Sequence, residues 1–164
     1  MTEATDPGPA VLLAVDAGIR AGLAAYGRDG RLQWYRSRNY GSVGRLRRAA
    51  RGVVAGLAAL ERVVVEGGGP AAEPWLRESE RRGIPSVQVQ AEAWRETLLL
   101  SRDRRTGADA KDRADSLARC VIEWSGARRP TSLRHDAAEA ILVGLWAVVD
   151  AGWLASVPDE VRRG

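Results

Sequence analysis

The chain of 164 residues contains few of the residues on which several common kinds of site depend. Cys120 is the only cysteine, so a disulfide within the chain is excluded and we expect this residue to be a small core side chain. No cluster of histidine and cysteine exists that could hold zinc, and no Ser/His/Asp set for nucleophilic catalysis is evident. The residue types present therefore point away from both kinds of centre.

Long apolar segments are also missing. No apolar run approaches the ~18 residues that a transmembrane helix needs, and residues 1–10 lack the charged and apolar regions of a signal peptide. We expect a cytoplasmic protein that does not enter a membrane. With 45% hydrophobic residues the chain is long enough for one well-buried domain and too short for two ordinary ones. We predict a disordered tail over 1–10, one domain over 11–154 and a frayed tail over 155–164.

Lysine is nearly absent from a mildly basic chain. There are 25 basic and 21 acidic residues, which give a formal net charge of +4, and Lys111 is the only lysine. The charge suits a polyanionic partner such as nucleic acid, although a merely solvated basic surface remains an alternative. Lys111 marks a place where a compact ammonium group is needed instead of a planar guanidinium.

The chain is organised around an apolar run at residues 11–15 that ends in Asp16 and is followed by Gly18. An uninterrupted apolar run of this length predicts a strand that is buried on both faces and central in its sheet. A carboxylate at the end of such a strand is costly to desolvate unless it is paired, and a bound cation would satisfy it. A simple turn cap is the competing interpretation.

The remaining pattern predicts an α/β domain with a five-stranded mixed sheet, in which an antiparallel meander precedes parallel strands and helices flank the sheet. Residues 62–66 repeat the opening design, because a β-branched run ends in Glu66 before three glycines. The two acids should therefore meet at one edge of the sheet. The other predicted elements are strands at 21–26, around 32–35 and at 86–90, and helices at 43–60, 73–82, 91–100 and 111–124.

Two surface features between these elements are candidates for contacts with partners. The loop at 101–107 is polar and basic, so its arginines are candidates for contact with a nucleic-acid backbone, or form only a solvated loop: Arg102, Arg104 and Arg105. The short helix at 73–82 carries Pro74, Trp75 and Leu76, which could form a small contact between two copies unless Trp75 packs into its own core.

The last predicted helix begins near His135, with Thr131 or Ser132 as plausible caps. Asp136 and Glu139 are three residues apart and therefore share one face of the helix. Acids in a first turn are favoured by the helix dipole alone. Beyond Ala140, however, the helix is apolar almost all round, which should bury it against the sheet and hold its acidic first turn beside the strand ends.

Four acids are thus expected at one place: Asp16, Glu66, Asp136 and Glu139. Clustered carboxylates repel one another unless cations neutralise them, and hard oxygen ligands suit Mg²⁺ or Mn²⁺. Two such ions about 4 Å apart can stabilise the attacking and leaving oxygens of a phosphodiester hydrolysis. Metal-assisted phosphoryl transfer is the chemistry that these residues fit.

The order of these motifs resembles the RNase H-like superfamily and, within it, the RuvC-type Holliday-junction resolvases. Val-Asp-Ala-Gly at 15–18 is similar to that family's opening Asp-Pro-Gly strand. His-Asp-Ala-Ala-Glu-Ala at 135–140 is similar to its Asp-Ala-Ala-Asp-Ala helix, with Glu139 in place of the final aspartate. The segments 94–97 and 107–111 are similar to two basic-residue segments of the same enzymes. The likeness covers residues 11–149.

The resemblance implies an Mg²⁺-dependent endodeoxyribonuclease that acts on branched DNA, four-way junctions above all. Asp16 would contact both of two metal ions, Glu66 would hold one, and Asp136 with Glu139 the other. Arg95 and Lys111 would face the scissile phosphate or its neighbours. His135 could assist a metal-bound water or could be only a polar residue at the helix start.

The chain departs from that family between Glu66 and Arg95. The segment is shorter than the family's helical segment, which supplies its dimer contact, and no aromatic follows Glu66 closely. A homodimer is expected of a junction resolvase, and the shorter segment leaves less surface for the contact between its two subunits.

Three alternative functions follow from the same motifs. YqgF-like relatives share the opening strand and would act on structured RNA. An actin- or sugar-kinase-like ATPase begins with the same strand but needs two such lobes. A non-catalytic DNA-binding module would not need four acids.

Overall fold

The computed structural model describes residues 6, 8–99 and 107–164 of the chain. Within them lie five strands and six α-helices, together with a short 3-10 helix at Gly69–Ala71. The strands are β1 Leu12–Asp16, β2 Arg20–Tyr26, β3 Leu32–Asn39, β4 Arg62–Glu66 and β5 Ser86–Val89. The helices are α1 Val43–Gly56, α2 Glu73–Arg81, α3 Ala91–Leu98, α4 Gly107–Ser125, α5 His135–Asp150 and α6 Asp159–Arg162.

The strands form one mixed sheet in the order β3-β2-β1-β4-β5. β1 pairs with β2 and β2 with β3 in antiparallel fashion, whereas β1 pairs with β4 and β4 with β5 in parallel. The predicted meander followed by parallel strands is confirmed. The predicted central place of β1 is confirmed as well, because the strand lies between β2 and β4 and residues 11–15 are all buried.

Two apolar layers cover the two faces of the sheet. On one face, α3, α4, α5 and α6 pack over a core that includes Trp94, Leu117, Ile141 and Leu145, and the half-buried Cys120 lies at its edge. On the other face, α1 and α2 pack over a second core, which includes Leu13, Leu46, Val63 and Trp75. Helix α5 is buried over most of its length because it is apolar almost all round.

Two glycines allow α5 to approach the sheet closely. A Cβ atom at Gly22 would lie 1.8 Å from the backbone oxygen of Asp136, and one at Gly144 would lie 2.1 Å from the ring of Tyr26. The Tyr26 hydroxyl in turn donates a hydrogen bond to the backbone oxygen of Ile141. The start and the middle of α5 are therefore fixed against β2 at backbone distance.

Two expectations from the sequence are corrected, and one alternative that the sequence left open, the burial of Trp75, is decided. Residues 155–164 are not simply frayed, because Val157 and Val161 are buried and α6 packs on the face that α4 covers. Trp75 is fully buried in the second core, so it adds nothing to an exposed contact surface. Helix α5 begins after Arg134 and has no side-chain cap, so neither Thr131 nor Ser132 caps it.

In the part of the chain that the structure describes, no helix combines the length and the apolar character that crossing a bilayer would require.

Candidate metal centre

Asp16 and Glu66 lie side by side at the same edge of the sheet. Each is the last residue of its strand, and the parallel register of β1 and β4 pairs them directly. The backbone N–H of Ala17 continues the ladder by donating to the oxygen of Glu66 at 3.0 Å. Two apolar runs that each end in an acid thus bring two carboxylates together, because parallel strands end at one edge.

Helix α5 supplies a third carboxylate to this edge. Gly22 pairs with Asp16 across β1 and β2, and the first turn of α5 lies directly over Gly22. Glu139, on that helix, is only 8% exposed. One carboxylate oxygen from each of Asp16, Glu66 and Glu139 lies within 4.8 Å of the other two. We call these three residues the carboxylate cluster.

The cluster raises the pKa values of its own members. The pKa of Asp16 rises to about 8, first because burial penalises its charged form and then because Glu139, Glu66 and Asp136 repel its charge. The pKa of Glu66 rises to about 7, again through burial first and then through Glu139, against the lowering effects of Trp94 and Arg95. Near neutral pH the cluster therefore retains a proton unless another cation neutralises it.

Asp136 borders the cluster and has partners of its own. Ser37 Oγ donates to its Oδ2 at 2.9 Å, and the backbone N–H of Ala137 donates to its Oδ1 at 2.8 Å. Its charge nevertheless contributes to the raised pKa of Asp16. The acid that shares a helix face with Glu139 is therefore close to Asp16 without being one of the three grouped carboxylates.

Nitrogen atoms from two helices lie beside Glu139. Arg95 Nη2 donates to Glu139 Oε1 at 3.1 Å, and His135 Nε2 lies 3.1 Å from the same oxygen. Arg95 also lies over the ring of Trp94, 5.2 Å from its centroid, and its buried Nε has no hydrogen-bond partner among the described residues. Arg95 is thus part of the site and was expected only near the scissile phosphate.

Trp94 fixes the orientation of Glu66. The indole Nε1 is buried and donates to Glu66 Oε2 at 3.2 Å. The side chain was part of the family resemblance, but the sequence assigned it no role. Ser37 was missed as well, because no local signal connects it to an acid 99 residues away. Gly22 carried a usable signal, since a glycine inside a strand often marks close approach of another backbone.

The structure does not place the other predicted site residues at the carboxylate cluster, either because they lie elsewhere or because they are outside the described residues. Lys111 is exposed in the first turns of α4, and no hydrogen bond or ion pair among the described residues joins it to the carboxylate cluster. Arg102, Arg104 and Arg105 lie outside the residues that the structure describes.

The donor set of the cluster fits a hard divalent cation. Mg²⁺ binds oxygen at about 2.0–2.1 Å, so two oxygens on one ion lie about 3–4 Å apart. The three oxygens here lie within 4.8 Å of one another, so a contraction below about 2 Å brings them to that spacing. Burial and mutual repulsion raise the pKa values of Asp16 and Glu66, and a bound cation would oppose both effects.

Comparison with solved structures identifies the fold. The chain superposes on the RuvC structure of Thermus thermophilus with a TM-score of 0.62 and 20% sequence identity, over 86% of this chain and 95% of that one. T. thermophilus RuvC in complex with a Holliday junction substrate gives a TM-score of 0.61 and 18% identity, over 91% and 99% of the two chains. No protein-family model matches the chain, and neither does any curated protein sequence.

The chain therefore has an RNase H-like α/β fold. Within that class, its fold is that of the RuvC structures. The expected fold class is confirmed.

Proposed function

We propose that this protein is a metal-dependent endonuclease of the RuvC type that hydrolyses phosphodiesters in branched DNA. One observation carries the proposal: three carboxylates from β1, β4 and α5 converge within 4.8 Å at one edge of a RuvC-like sheet. The similar T. thermophilus protein was solved with a Holliday junction substrate. That match supports four-way junctions as the first substrate to test.

In this proposal Asp16, Glu66, Asp136 and Glu139 hold two Mg²⁺ or Mn²⁺ ions. Bound there, the ions supply stabilisation of the charge that develops on the attacking and leaving oxygens. Asp16 lies near enough to each of the other three acids for its pKa to be raised by all of them, and so it is suited to contact both ions. Trp94 keeps one oxygen of Glu66 in place through its hydrogen bond.

Three further groups of residues serve the substrate. Arg95, which pairs with Glu139 in the protein alone, is assigned to the phosphate next to the reacting one. Lys111 and the arginines of the 101–107 loop are assigned to the DNA backbone: Arg102, Arg104 and Arg105. His135 lies beside Glu139 and is suited to orient that carboxylate or a water near it.

Labelled four-way, flap and linear DNA, each incubated with and without Mg²⁺ or Mn²⁺, tests the proposal. We expect divalent-dependent hydrolysis of branched DNA that Asp16→Asn or Glu66→Gln abolishes, because the charge of these acids serves the metal. Both variants should still fold and still bind DNA. A structured RNA in the same assay tests the YqgF-like alternative. Undiminished cleavage by either variant would remove the proposed site.

We further propose that the protein acts on junctions as a homodimer. Clean resolution needs two opposed nicks at related positions, and hence two sites related by a two-fold axis. Because Trp75 is buried, the contact must use other surface. Sedimentation with and without junction DNA measures the assembly. Monomers in both conditions, with single nicks as products, would replace the resolvase by a branch-nicking nuclease.

A further inference from the structure

The exposed half of strand β3 presents an aromatic and basic surface on the face of the sheet opposite helix α5. Side chains alternate along a strand, and Ser37 points toward α5 because it donates to Asp136. Arg36 and Arg38 therefore emerge on the other face, which α1 covers. Trp34, two residues earlier, packs against the core beneath α1.

A groove of about 590 Å³ lies between this surface and α1. Its lining includes Trp34, Arg36, Arg38 and Tyr40 on one side and Ala49 and Gly52 on the other. We call it the α1/β3 groove. None of the described residues that line it is acidic. Small residues keep the α1 side open, since a Cβ at Gly52 would meet nothing within 4 Å.

The groove combines a flat aromatic surface with positive charge. The guanidinium carbon of Arg36 lies 4.4 Å from the centroid of the Trp34 ring. Arg36 and Arg38 both lie near enough to the Tyr40 hydroxyl to lower its pKa, against burial, which raises it. Among the described ion pairs none includes either arginine, so their charge is available to an anion.

The groove is within reach of the carboxylate cluster. Ser37 pairs with Gly22, and Gly22 pairs with Asp16, so β3 is two strands away from Asp16 at the level of the site. At about 4.8 Å between strands, that distance is about 10 Å along the sheet. Arg36 and Arg38 flank Ser37 on the opposite face, so a nucleic-acid strand that passes from the carboxylates around the β3 edge of the sheet arrives at these two arginines.

We propose that the α1/β3 groove binds an unpaired strand of the DNA substrate. A base stacks on the Trp34–Arg36 pair, and the guanidinium groups of Arg36 and Arg38 hold the flanking phosphates. Aromatic and guanidinium planes stack bases of any sequence, and arginine forks match phosphate oxygens. The volume lies in the range of small-ligand sites. The inference rests on the proposed nuclease function, because a branch supplies the unpaired strand.

Binding of fluorescein-labelled oligo(dT), measured by anisotropy in EDTA, tests the groove apart from catalysis. Gly52→Gln should fill the groove from α1, and Gly44→Gln is its matched control, because that glycine lies on the same helix outside the lining and also has open space. We expect Gly52→Gln and the Arg36→Ala/Arg38→Ala pair to weaken binding about 5- to 150-fold, the range for loss of base stacking. Gly44→Gln should bind as the wild type does.

A second measurement locates the strand directly. An oligonucleotide that contains 5-iododeoxyuridine should form a photocrosslink at Trp34 or Tyr40, identified by mass spectrometry. Crosslinks elsewhere only, or equal affinity of Gly52→Gln and Gly44→Gln, would overturn the inference. So would a change in oligomer mass in Gly52→Gln with oligo(dT) binding intact, since the occupant would then be a second copy.

The two proposals fail separately. Wild-type protein that binds oligo(dT) through the groove but cuts no branched DNA with Mg²⁺ or Mn²⁺ refutes the nuclease function and leaves the groove as a binding site. Divalent-dependent cleavage together with unaltered oligo(dT) binding by the groove variants refutes the groove and leaves the nuclease.

Discussion

Replacing Gly22 by alanine should disable the carboxylate cluster without altering any acid. The added Cβ would lie 1.8 Å from the Asp136 oxygen and 2.9 Å from the Ala137 nitrogen. The gap to the oxygen must open by about 1.6 Å to reach the 3.4 Å of an ordinary contact. Both obstacles are backbone atoms, so no side-chain rotation can relieve the overlap, and the start of α5 must move away from β2.

That movement changes the geometry of the proposed metal ligands. Glu139 follows Asp136 on the same helix, whereas Asp16 and Glu66 are fixed in the sheet, so the distances within the cluster change by an ångström or more. This change adds to the contraction that an ion already requires of these oxygens, and the bound metal–ligand distances themselves tolerate only about 0.2 Å. We expect the Mn²⁺ affinity, measured by titration calorimetry, and the divalent-dependent cleavage rate each to fall about 100-fold. Overpacking should also lower the free energy of unfolding by about 1–3 kcal/mol.

Gly44→Ala is the control for this prediction. Gly44 is in α1 and has open space where a Cβ would be placed, so alanine there should raise stability by about 0.5–1 kcal/mol and leave metal affinity unchanged. If Gly22→Ala melts at the wild-type temperature and binds Mn²⁺ normally, the close approach of α5 to β2 does not set the site geometry.

Three further predictions concern charge. Because folding raises the pKa of Asp16 to about 8 and of Glu66 to about 7, the folded protein holds protons that the unfolded chain has released, and its free energy of unfolding should fall as the pH rises from about 4 to about 8. Thermal melts should show this loss, and Mg²⁺ should reverse it; a melting temperature independent of pH would contradict it. Trp94→Phe removes the donor to Glu66 and should weaken Mn²⁺ binding about 10-fold at pH 7, with the pH of half-maximal binding shifted upward, whereas a merely structural role would lower stability without that shift. The logarithm of the DNA affinity should fall linearly with the logarithm of the salt concentration, with a slope of about 0.9 per neutralised phosphate. Replacing Arg102, Arg104 and Arg105 by alanine should make this slope smaller. An unchanged slope would show that their loop is only solvated.

The sheet and two of its acids were predictable because their signals are local. An apolar run that ends in one carboxylate and a glycine describes both β1 with Asp16 and β4 with Glu66, and parallel pairing then brings the ends together. The position of Glu139 beside the strand ends was predictable because its helix is apolar almost all round, and such a helix must pack against the sheet. These inferences need only periodicity and the cost of burying charge.

The partners of the acids could not be read from the sequence. Trp94 reaches Glu66 across 28 residues and Ser37 reaches Asp136 across 99, and neither pair has a local pattern. The burial of Trp75 depended on how α2 packs, which the short amphipathic pattern left open. The burial of Val161 could not be predicted either, because its short helix gains stability only by packing on the face of the sheet that α4 covers.

Burying three mutually repelling carboxylates is unfavourable for the folded protein, so other interactions must hold the carboxylate cluster in place. Burial and mutual repulsion both oppose the charge of Asp16. Against this, α5 buries eleven of its residues and its start is fixed against β2 by backbone contact at Gly22. Each fully buried aliphatic side chain contributes about 1.5–3 kcal/mol, so the helix offsets the cost of bringing the acids together. The apolar length of α5 is therefore what allows the acids to be kept together in the folded protein.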